Sequence, residues 1–212
     1  MNFKLALTAL ILVLSMELVV LQKLKNRSKY QESEFVFNLA NSTPNAIGGG
    51  GNGRAMNIDT FAPLAGEGVA MVLFKIDPCG INLPHVHPRG TELFYVVKGT
   101  FKTAFTEENS GRTIVNTLTP GQATIFPQGL IHEEQNIGCE EAIFISAFSD
   151  EDPGVLTISN RMFTLPDEAL QATFAENKAT INKLKNGLPV NPAKGHNECL
   201  KKCGIKNNNN KQ

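Results

Sequence analysis

Residues 80–92 read GINLPHVHPRGTE and place two of the chain's four histidines, His85 and His87, two positions apart. Side chains alternate between the two faces of a β-strand, so the two imidazoles are predicted to share one face. Pro84 and Pro88 bracket the pair. Since proline cannot donate to a ladder, the segment is predicted to be a short or edge-like strand.

Two further side chains are predicted to join this pair. Glu92 lies an odd number of residues after His87, so a straight strand would place it on the opposite face. The intervening Pro-Arg-Gly turn is expected to reverse the chain and bring Glu92 back. His132 follows a second turn, PQG, on a later strand. Three imidazoles and one carboxylate from two hairpins suit a divalent first-row metal, with positions left open for water or substrate.

The alternative is that these histidines are ordinary surface or hydrogen-bonded core residues. Burying three imidazoles without partners would cost free energy for each unsatisfied nitrogen, and coordination removes that cost. Glu134 shares the strand face of His132 by parity and is a candidate acid or ligand-orienting group beside the site. Its own alternative is a solvated residue at the mouth of the site. His196 lies outside the pattern and is predicted to be a surface or loop residue.

The rest of the chain is predicted to be mainly β. Short runs rich in Val, Ile, Phe and Thr recur between turn signals and favour a sandwich or barrel over βαβ units. They cover 69–77, 92–98, 100–105, 112–118, 123–126, 141–148 and 155–158. The glycine-rich IGGGGNG at 47–53 is predicted to be a flexible loop, because no lysine or serine follows at phosphate-loop spacing.

Short helices are expected after the β core, because Pro166 is followed by two acids, as at a helix N-terminus, and ATINKLKNGL ends with lysines and Gly187, a C-terminal signature. The predicted organisation is a β-barrel over 35–160, helices over 161–187 and a cysteine-containing tail over 188–212, whose NNNNKQ end is expected to be disordered.

The N-terminus predicts export. Lys4 precedes the apolar run LALTALILVLSMELVV, which is typical of a signal peptide over residues 1–15, cleaved after Ser15 or as late as about residue 22. The alternative is an uncleaved signal anchor, although Glu17 interrupts the run and disfavours a stable membrane span. Asn26 and Asn41 each begin an N-x-[ST] triplet and are candidate glycosylation sites.

The counts of charged residues and cysteines bear on nucleic-acid binding and on the redox environment of the protein. Twenty basic and twenty acidic residues leave no basic surplus, which argues against nucleic-acid binding. The four cysteines are compatible with disulfides in an oxidising compartment and allow three pairings. We favour Cys79–Cys139 with Cys199–Cys203. The alternative is four free, buried thiols.

The segments PHVHPRGTE and FPQGLIH closely resemble the two characteristic motifs of the cupin superfamily, in the form found in germins. PCGINLPHVHPR, EDPGVLT and ECLKKCG look most like the spherulin branch of slime-mould encystment proteins, and the likeness covers roughly residues 35–205. The resemblance implies an all-β fold, a cupin jelly-roll β-barrel with short C-terminal helices. It also implies assembly into trimers or hexamers.

The same resemblance implies a bound Mn²⁺ ion, although other divalent metals also accept imidazole. Carried over residue by residue, the metal ligands are His85, His87, Glu92 and His132, and Asn82 matches a position that contacts substrate in oxalate-oxidising germins. The chain departs from plant germins in having no cysteine before Cys79. Glu67 stands where oxalate-oxidising members tend to have asparagine, which weakens an oxalate oxidase interpretation.

The expected function is therefore a secreted, extracellular or wall-associated manganese-binding protein of differentiation or encystment. One alternative is a metal-dependent oxidoreductase of the superoxide dismutase or oxalate oxidase type. A second is a module that binds a sugar or another small ligand. The partners implied are further copies of the chain and either a cell-wall polysaccharide or a small carboxylate.

Overall fold

The computed structural model describes residues 27–206, together with single residues at 8, 14, 15, 18, 22, 23 and 25. Within this part of the chain, eleven strands form two antiparallel sheets. The strands are β1 Ala46–Gly48, β2 Gly51–Met56, β3 Ala70–Ile76, β4 Ile81–Val86, β5 Glu92–Lys98, β6 Phe101–Thr106, β7 Thr113–Leu118, β8 Ala123–Phe126, β9 His132–Asn136, β10 Ala142–Phe148 and β11 Leu156–Thr157.

The two sheets enclose one apolar core. The six-stranded sheet has the order β1-β2-β3-β10-β5-β8, and the five-stranded sheet has the order β11-β4-β9-β6-β7. Phe94 and Phe144 of the first sheet meet Phe101 of the second, with ring centroids 5.5 Å and 5.4 Å from Phe101. Non-sequential strands lie side by side in both sheets, as in a jelly roll. The predicted all-β double-sheet barrel followed by short helices is confirmed.

Alternation along the strands separates the barrel interior from its outer surface. In β5, Glu92, Phe94 and Val96 are buried, whereas Leu93 and Tyr95 between them are exposed. Phenylalanines fill one part of the interior, and the polar inward residues collect around His85 and Glu92. The interior is therefore divided into an apolar plug and a polar chamber.

Four short helices follow the barrel: α1 Ile158–Met162, α2 Asp167–Phe174, α3 Lys178–Asn186 and α4 Asn197–Lys202. Asn177 caps α3 by accepting a hydrogen bond from the backbone N–H of Thr180 at 3.0 Å. Leu170 of α2 and Ile181 of α3 are buried with Phe163 in a cluster separate from the barrel core. None of the described helices is long and apolar enough to cross a bilayer.

The glycine-rich stretch is not the flexible loop that the sequence predicts, because it forms the β1–β2 hairpin. Between α3 and α4, residues 189–195 return to the barrel as a segment that we call the C-terminal strap. A side chain at Gly50 would stand 1.8 Å from the carbonyl oxygen of Ala193, and one at Gly48 would stand 2.1 Å from that of Pro192. The glycines are therefore needed for close approach of the strap.

The disulfide pairing favoured from the sequence is wrong. The structure pairs Cys79 with Cys199 and Cys139 with Cys203. Cys199 and Cys203 are four residues apart at α4, and the N–H of Cys203 donates to the carbonyl of Cys199 at 3.0 Å. Helical neighbours at this spacing hold their Cβ atoms about 5–6 Å apart, whereas a disulfide needs about 3.5–4.5 Å. Cys199 and Cys203 are instead disulfide-bonded to Cys79 and Cys139, which lie in two different turns of the barrel.

Several predictions concern residues that the structure does not describe. Most of the signal segment over 1–15, the sequon residue Asn26 and residues 207–212 of the tail all lie outside the described residues. Asn41 ends a 3-10 turn over Leu39–Asn41 and is exposed. Its glycosylation stays a prediction.

Candidate metal centre

Three strand ends bring the four predicted ligands together. His85 lies on β4 and stands opposite His132, the first residue of β9, in the antiparallel register. His87 follows the end of β4, and Glu92 begins β5 in the other sheet. All four side chains are buried, each with less than a tenth of its surface exposed. The turn between His87 and Glu92 carries the chain from one sheet to the other and brings Glu92 back to the histidines, as the sequence predicts.

Backbone carbonyls fix the orientation of each imidazole. The Nδ1 atoms of His85 and His132 lie 2.8 Å from the carbonyl oxygens of Leu83 and Leu130, and the Nδ1 atom of His87 contacts the carbonyl of Gly154. A carbonyl oxygen can only accept, so the proton of each neutral ring sits on Nδ1. Each Nε2 atom then carries a lone pair that faces the centre of the group.

The four lone-pair donors meet at one place. The Oε2 atom of Glu92 lies 3.1 Å from Nε2 of His132 and 3.2 Å from Nε2 of His87. The ligand atoms of the four residues, one imidazole nitrogen from each histidine and one carboxylate oxygen of Glu92, all lie within 4.8 Å of one another. Neutral imidazole lone pairs aimed at a carboxylate repel it unless a proton or a metal cation lies between them. The donor set therefore fits a divalent metal, with three nitrogens and one oxygen as ligands.

Electrostatics keep the group ready to bind a cation. Burial, followed by the neighbouring imidazoles of His132 and His87, lowers the pKa of His85 to about 3, so its ring stays neutral. Burial alone would raise the pKa of Glu92, but contacts with His132 and His87 outweigh it and hold this pKa below its usual range. The other carboxylate oxygen of Glu92 accepts a hydrogen bond from the hydroxyl of Ser146.

A second polar group lies beside the four ligands. Asn82 stands opposite Glu134 in the register of β4 and β9, and its Nδ2 donates to Oε2 of Glu134 at 2.8 Å. The Oε1 atom of Glu134 has no hydrogen-bond partner in the described structure and lies 4.0 Å from Nε2 of His132. Burial and then the charge of Glu92 raise the pKa of Glu134 well above its ordinary range.

The sequence predicted the surroundings of some residues in and near the site correctly and those of others wrongly. Glu134 does share the inner face with His132, but it is fully buried, so its interpretation as a solvated mouth residue is wrong. His196 is exposed beside α4, as expected of a residue outside the site. Ser146 was missed, although its place between Phe144 and Phe148 on an alternating strand marks it as inward. Asn191 was also missed, and no local pattern identifies it.

Glu133 provides a prediction about the outer face of β9. Burial raises its pKa from 4.5 to about 7, partly offset by Lys102. Because the folded value lies above the unfolded one, this group's contribution to stability is complete below pH 4.5 and is lost as pH rises through 7. We expect Glu133→Gln to stabilise the protein by about 2 kcal/mol at pH 8 and little at pH 4.5.

Urea unfolding at the two pH values measures this effect. Glu140→Gln is the matched control, because Glu140 is exposed and the substitution changes the net charge equally. Equal shifts for both variants at pH 8 would contradict a role for burial and would indicate a general effect of net charge.

The fold and the site define a class of protein: an antiparallel double-sheet barrel with a buried three-histidine, one-glutamate centre. The family model described as "Cupin" matches residues 37–182, and the chain belongs to this family.

Two named relatives and one solved structure give the context. The chain is 41% identical to Spherulin-1A of Physarum polycephalum over 177 residues, which cover 82% of this chain and 72% of the relative. It is 35% identical to a germin-like protein of Mesembryanthemum crystallinum, over 71% of this chain and 66% of the relative. A recombinant oxalate oxidase in complex with glycolate superposes with a TM-score of 0.68 at 22% identity, covering 74% of this chain and 81% of that one.

Proposed function

We propose that this protein is a secreted cupin that holds a resident Mn²⁺ ion on His85, His87, Glu92 and His132. One observation carries the proposal: three backbone carbonyls hold the Nδ1 atoms of His85, His87 and His132, and the ligand atoms of these three residues and Glu92 lie within 4.8 Å of one another. A divalent cation bound between these atoms would be ligated by all four residues at once. Manganese is the ion that the resemblance to germins implies, and imidazole with carboxylate is an acceptable ligand set for it.

Secretion is supported by two independent features. The apolar N-terminal run after Lys4 has the composition of a signal peptide. All four cysteines are paired, and such disulfides persist in oxidising compartments. The protein is thus proposed to act outside the cell or in its wall. By analogy with the spherulins, its role is in differentiation or encystment, where a polysaccharide is the proposed partner.

Self-association is part of the same proposal. The outer face of the six-stranded sheet presents apolar side chains where a solvated sheet would present polar ones. Leu93, Tyr95 and Ile125 are 55%, 45% and 52% exposed, and Leu93 and Ile125 are register partners. Apolar surface of this kind favours burial against another subunit, which supports the homo-oligomer, a trimer or hexamer, that the resemblance implies.

A metal-dependent oxidoreductase is the second candidate, and the Asn82–Glu134 pair favours it. A metal with a purely structural role does not require a buried acid with an unpartnered oxygen beside its ligands. Manganese held there would supply a redox couple and Lewis acidity. Asn82 would donate a hydrogen bond to a small carboxylate or other anion, and Glu134 would orient Asn82 and the bound ligand.

Elemental analysis of protein purified from culture medium tests the metal, and mass spectrometry of its N-terminus tests processing. We expect about one manganese per chain and loss of the leader. Superoxide dismutation and peroxide release from oxalate should then be measured before and after chelation. Turnover that chelation abolishes supports the oxidoreductase. Retained metal without turnover supports the structural role, and a chain with its leader and no metal contradicts the proposal.

A further inference from the structure

The C-terminal strap reaches into the polar chamber at one point, the side chain of Asn191. Its backbone first pairs with the start of β4, whose last residues pair with β11: the N–H of Ile81 donates to the carbonyl of Ala193 at 2.9 Å, and Ala193 donates back at 2.8 Å. The carbonyl of Pro192 also accepts from the N–H of Gly50 at 3.0 Å. The strap is thus held at both β4 and the β1–β2 hairpin.

A directed chain of hydrogen bonds runs through the strap to Glu134, which lies beside the metal ligands. The backbone N–H of Leu83 donates to Oδ1 of Asn191 at 2.7 Å. Nδ2 of Asn191 then donates to Oδ1 of Asn82 at 2.6 Å, and Nδ2 of Asn82 donates to Glu134 at 2.8 Å.

The direction of this chain is fixed from one end. A backbone N–H can only donate, so the atom of Asn191 facing Leu83 must be its oxygen. The amide nitrogen of Asn191 therefore faces Asn82, which must turn its own oxygen towards the strap. As a result, Asn82 presents its NH₂ group, a donor, on the side of Glu134 and the metal ligands. Without Asn191, no hydrogen bond in the described part of the chain would hold the Asn82 oxygen on the strap side, and the amide could rotate by half a turn.

We propose that Asn191 is a positioning residue of the metal centre, which makes Asn82 an obligate donor towards a small carboxylate ligand. The inference rests on the proposed metal site and adds a residue from outside the barrel to it. An NH₂ group carries two hydrogens, and Glu134 accepts one of them. The second is assigned to the bound anion. Asn82 and Asn191 thus act as one unit, and the strap is part of the binding site.

Asn191→Asp separates the two roles of this side chain. The introduced carboxylate keeps an oxygen for the Leu83 N–H, so the strap stays attached, but it has no hydrogen to give to Asn82. Asn82 must then turn its NH₂ group towards the strap. In manganese-loaded protein titrated with glycolate by calorimetry, we expect a loss of affinity of about tenfold or more, with metal content and Tm close to wild type.

A double-mutant cycle with Asn82→Ala shows whether Asn191 acts through Asn82. The negative charge that Asn191→Asp introduces also repels an anion directly, and that effect would persist when Asn82 is absent. We expect instead that Asn191→Asp costs at least about tenfold in the wild-type background and less than about twofold in the Asn82→Ala background. Asn191→Ala should give the same dependence on Asn82, which keeps the test valid if the introduced charge disturbs folding.

The outcomes separate this inference from the proposed function. If wild-type protein binds no manganese, the metal site itself fails and this inference fails with it. If manganese is bound but glycolate affinity is unchanged in Asn191→Asp and Asn191→Ala, or glycolate does not bind at all, only the role of Asn191 is overturned. A loss that is equal in both backgrounds also overturns it, because the effect would then bypass Asn82.

Discussion

Replacing His132 with alanine is expected to lower bound metal from about one ion per chain to background. His132 contributes one of the four donor atoms, is buried to 2% exposure and stacks on Phe126 with ring centroids 4.5 Å apart. No described histidine outside the group can replace it, since His196 is exposed beside α4. The three remaining donors, His85, His87 and Glu92, would leave an incomplete shell around the ion.

In the same variant, adding a chelator should no longer change the stability of the protein. An ion present at about 1,000 times its Kd stabilises the folded state by about 4 kcal/mol. In a chain of this size that corresponds to roughly 10 °C in Tm. We therefore expect chelation to lower the Tm of the wild type by about this amount and to leave that of His132→Ala unchanged. Comparing each variant with and without chelator removes the cost of the lost stacking on Phe126.

His196→Ala is the matched control, because it removes an exposed imidazole from the same chain. It should retain both the metal and the response to chelation. Full metal content in His132→Ala, measured by elemental analysis after dialysis, would show that the ion binds elsewhere and that the four converging donors are not its site.

The ligand group could be predicted from sequence because its geometry is mostly local. Alternation along a strand puts His85 and His87 on one face, and a tight turn returns Glu92 within a few residues. Only His132 comes from a distant segment, and its turn signal marks the start of a strand. The strands themselves follow from β-branched and aromatic runs, since these residues fit a pleated, half-buried surface.

Features that depend on the tail could not be predicted in this way. The glycines of the β1–β2 hairpin suggest flexibility when only neighbours in sequence are considered, but the strap packs against them. Asn191 lies 109 residues from Asn82 in sequence, and no periodicity connects the two. Burial of Glu134 likewise depends on both sheets and on Asn82. The strap is attached to the barrel by contacts between residues that are distant in sequence, so local sequence patterns do not reveal it.

The second largest effect is expected from removing one of the two disulfides that attach α4 to the barrel, which should lower the free energy of unfolding. The disulfides link Cys79 to Cys199 and Cys139 to Cys203, over 120 and 64 residues. Closing loops of this length removes entropy from the unfolded chain, so losing one bond typically costs about 2–5 kcal/mol. We expect Cys79→Ala/Cys199→Ala to lower the free energy of unfolding by this amount in urea.

Thiol titration of the same variant under denaturing conditions decides the pairing. With the pairing in the structure, the remaining Cys139 and Cys203 stay bonded and no thiol reacts. With the pairing favoured from sequence, both would be left without partners and would react. Cys139→Ala/Cys203→Ala is the matched variant and leaves the more buried bond in place. Because α4 follows the strap directly, loss of both bonds should also release Asn191 from Asn82, so glycolate affinity should fall in the quadruple alanine variant even while the barrel retains its manganese.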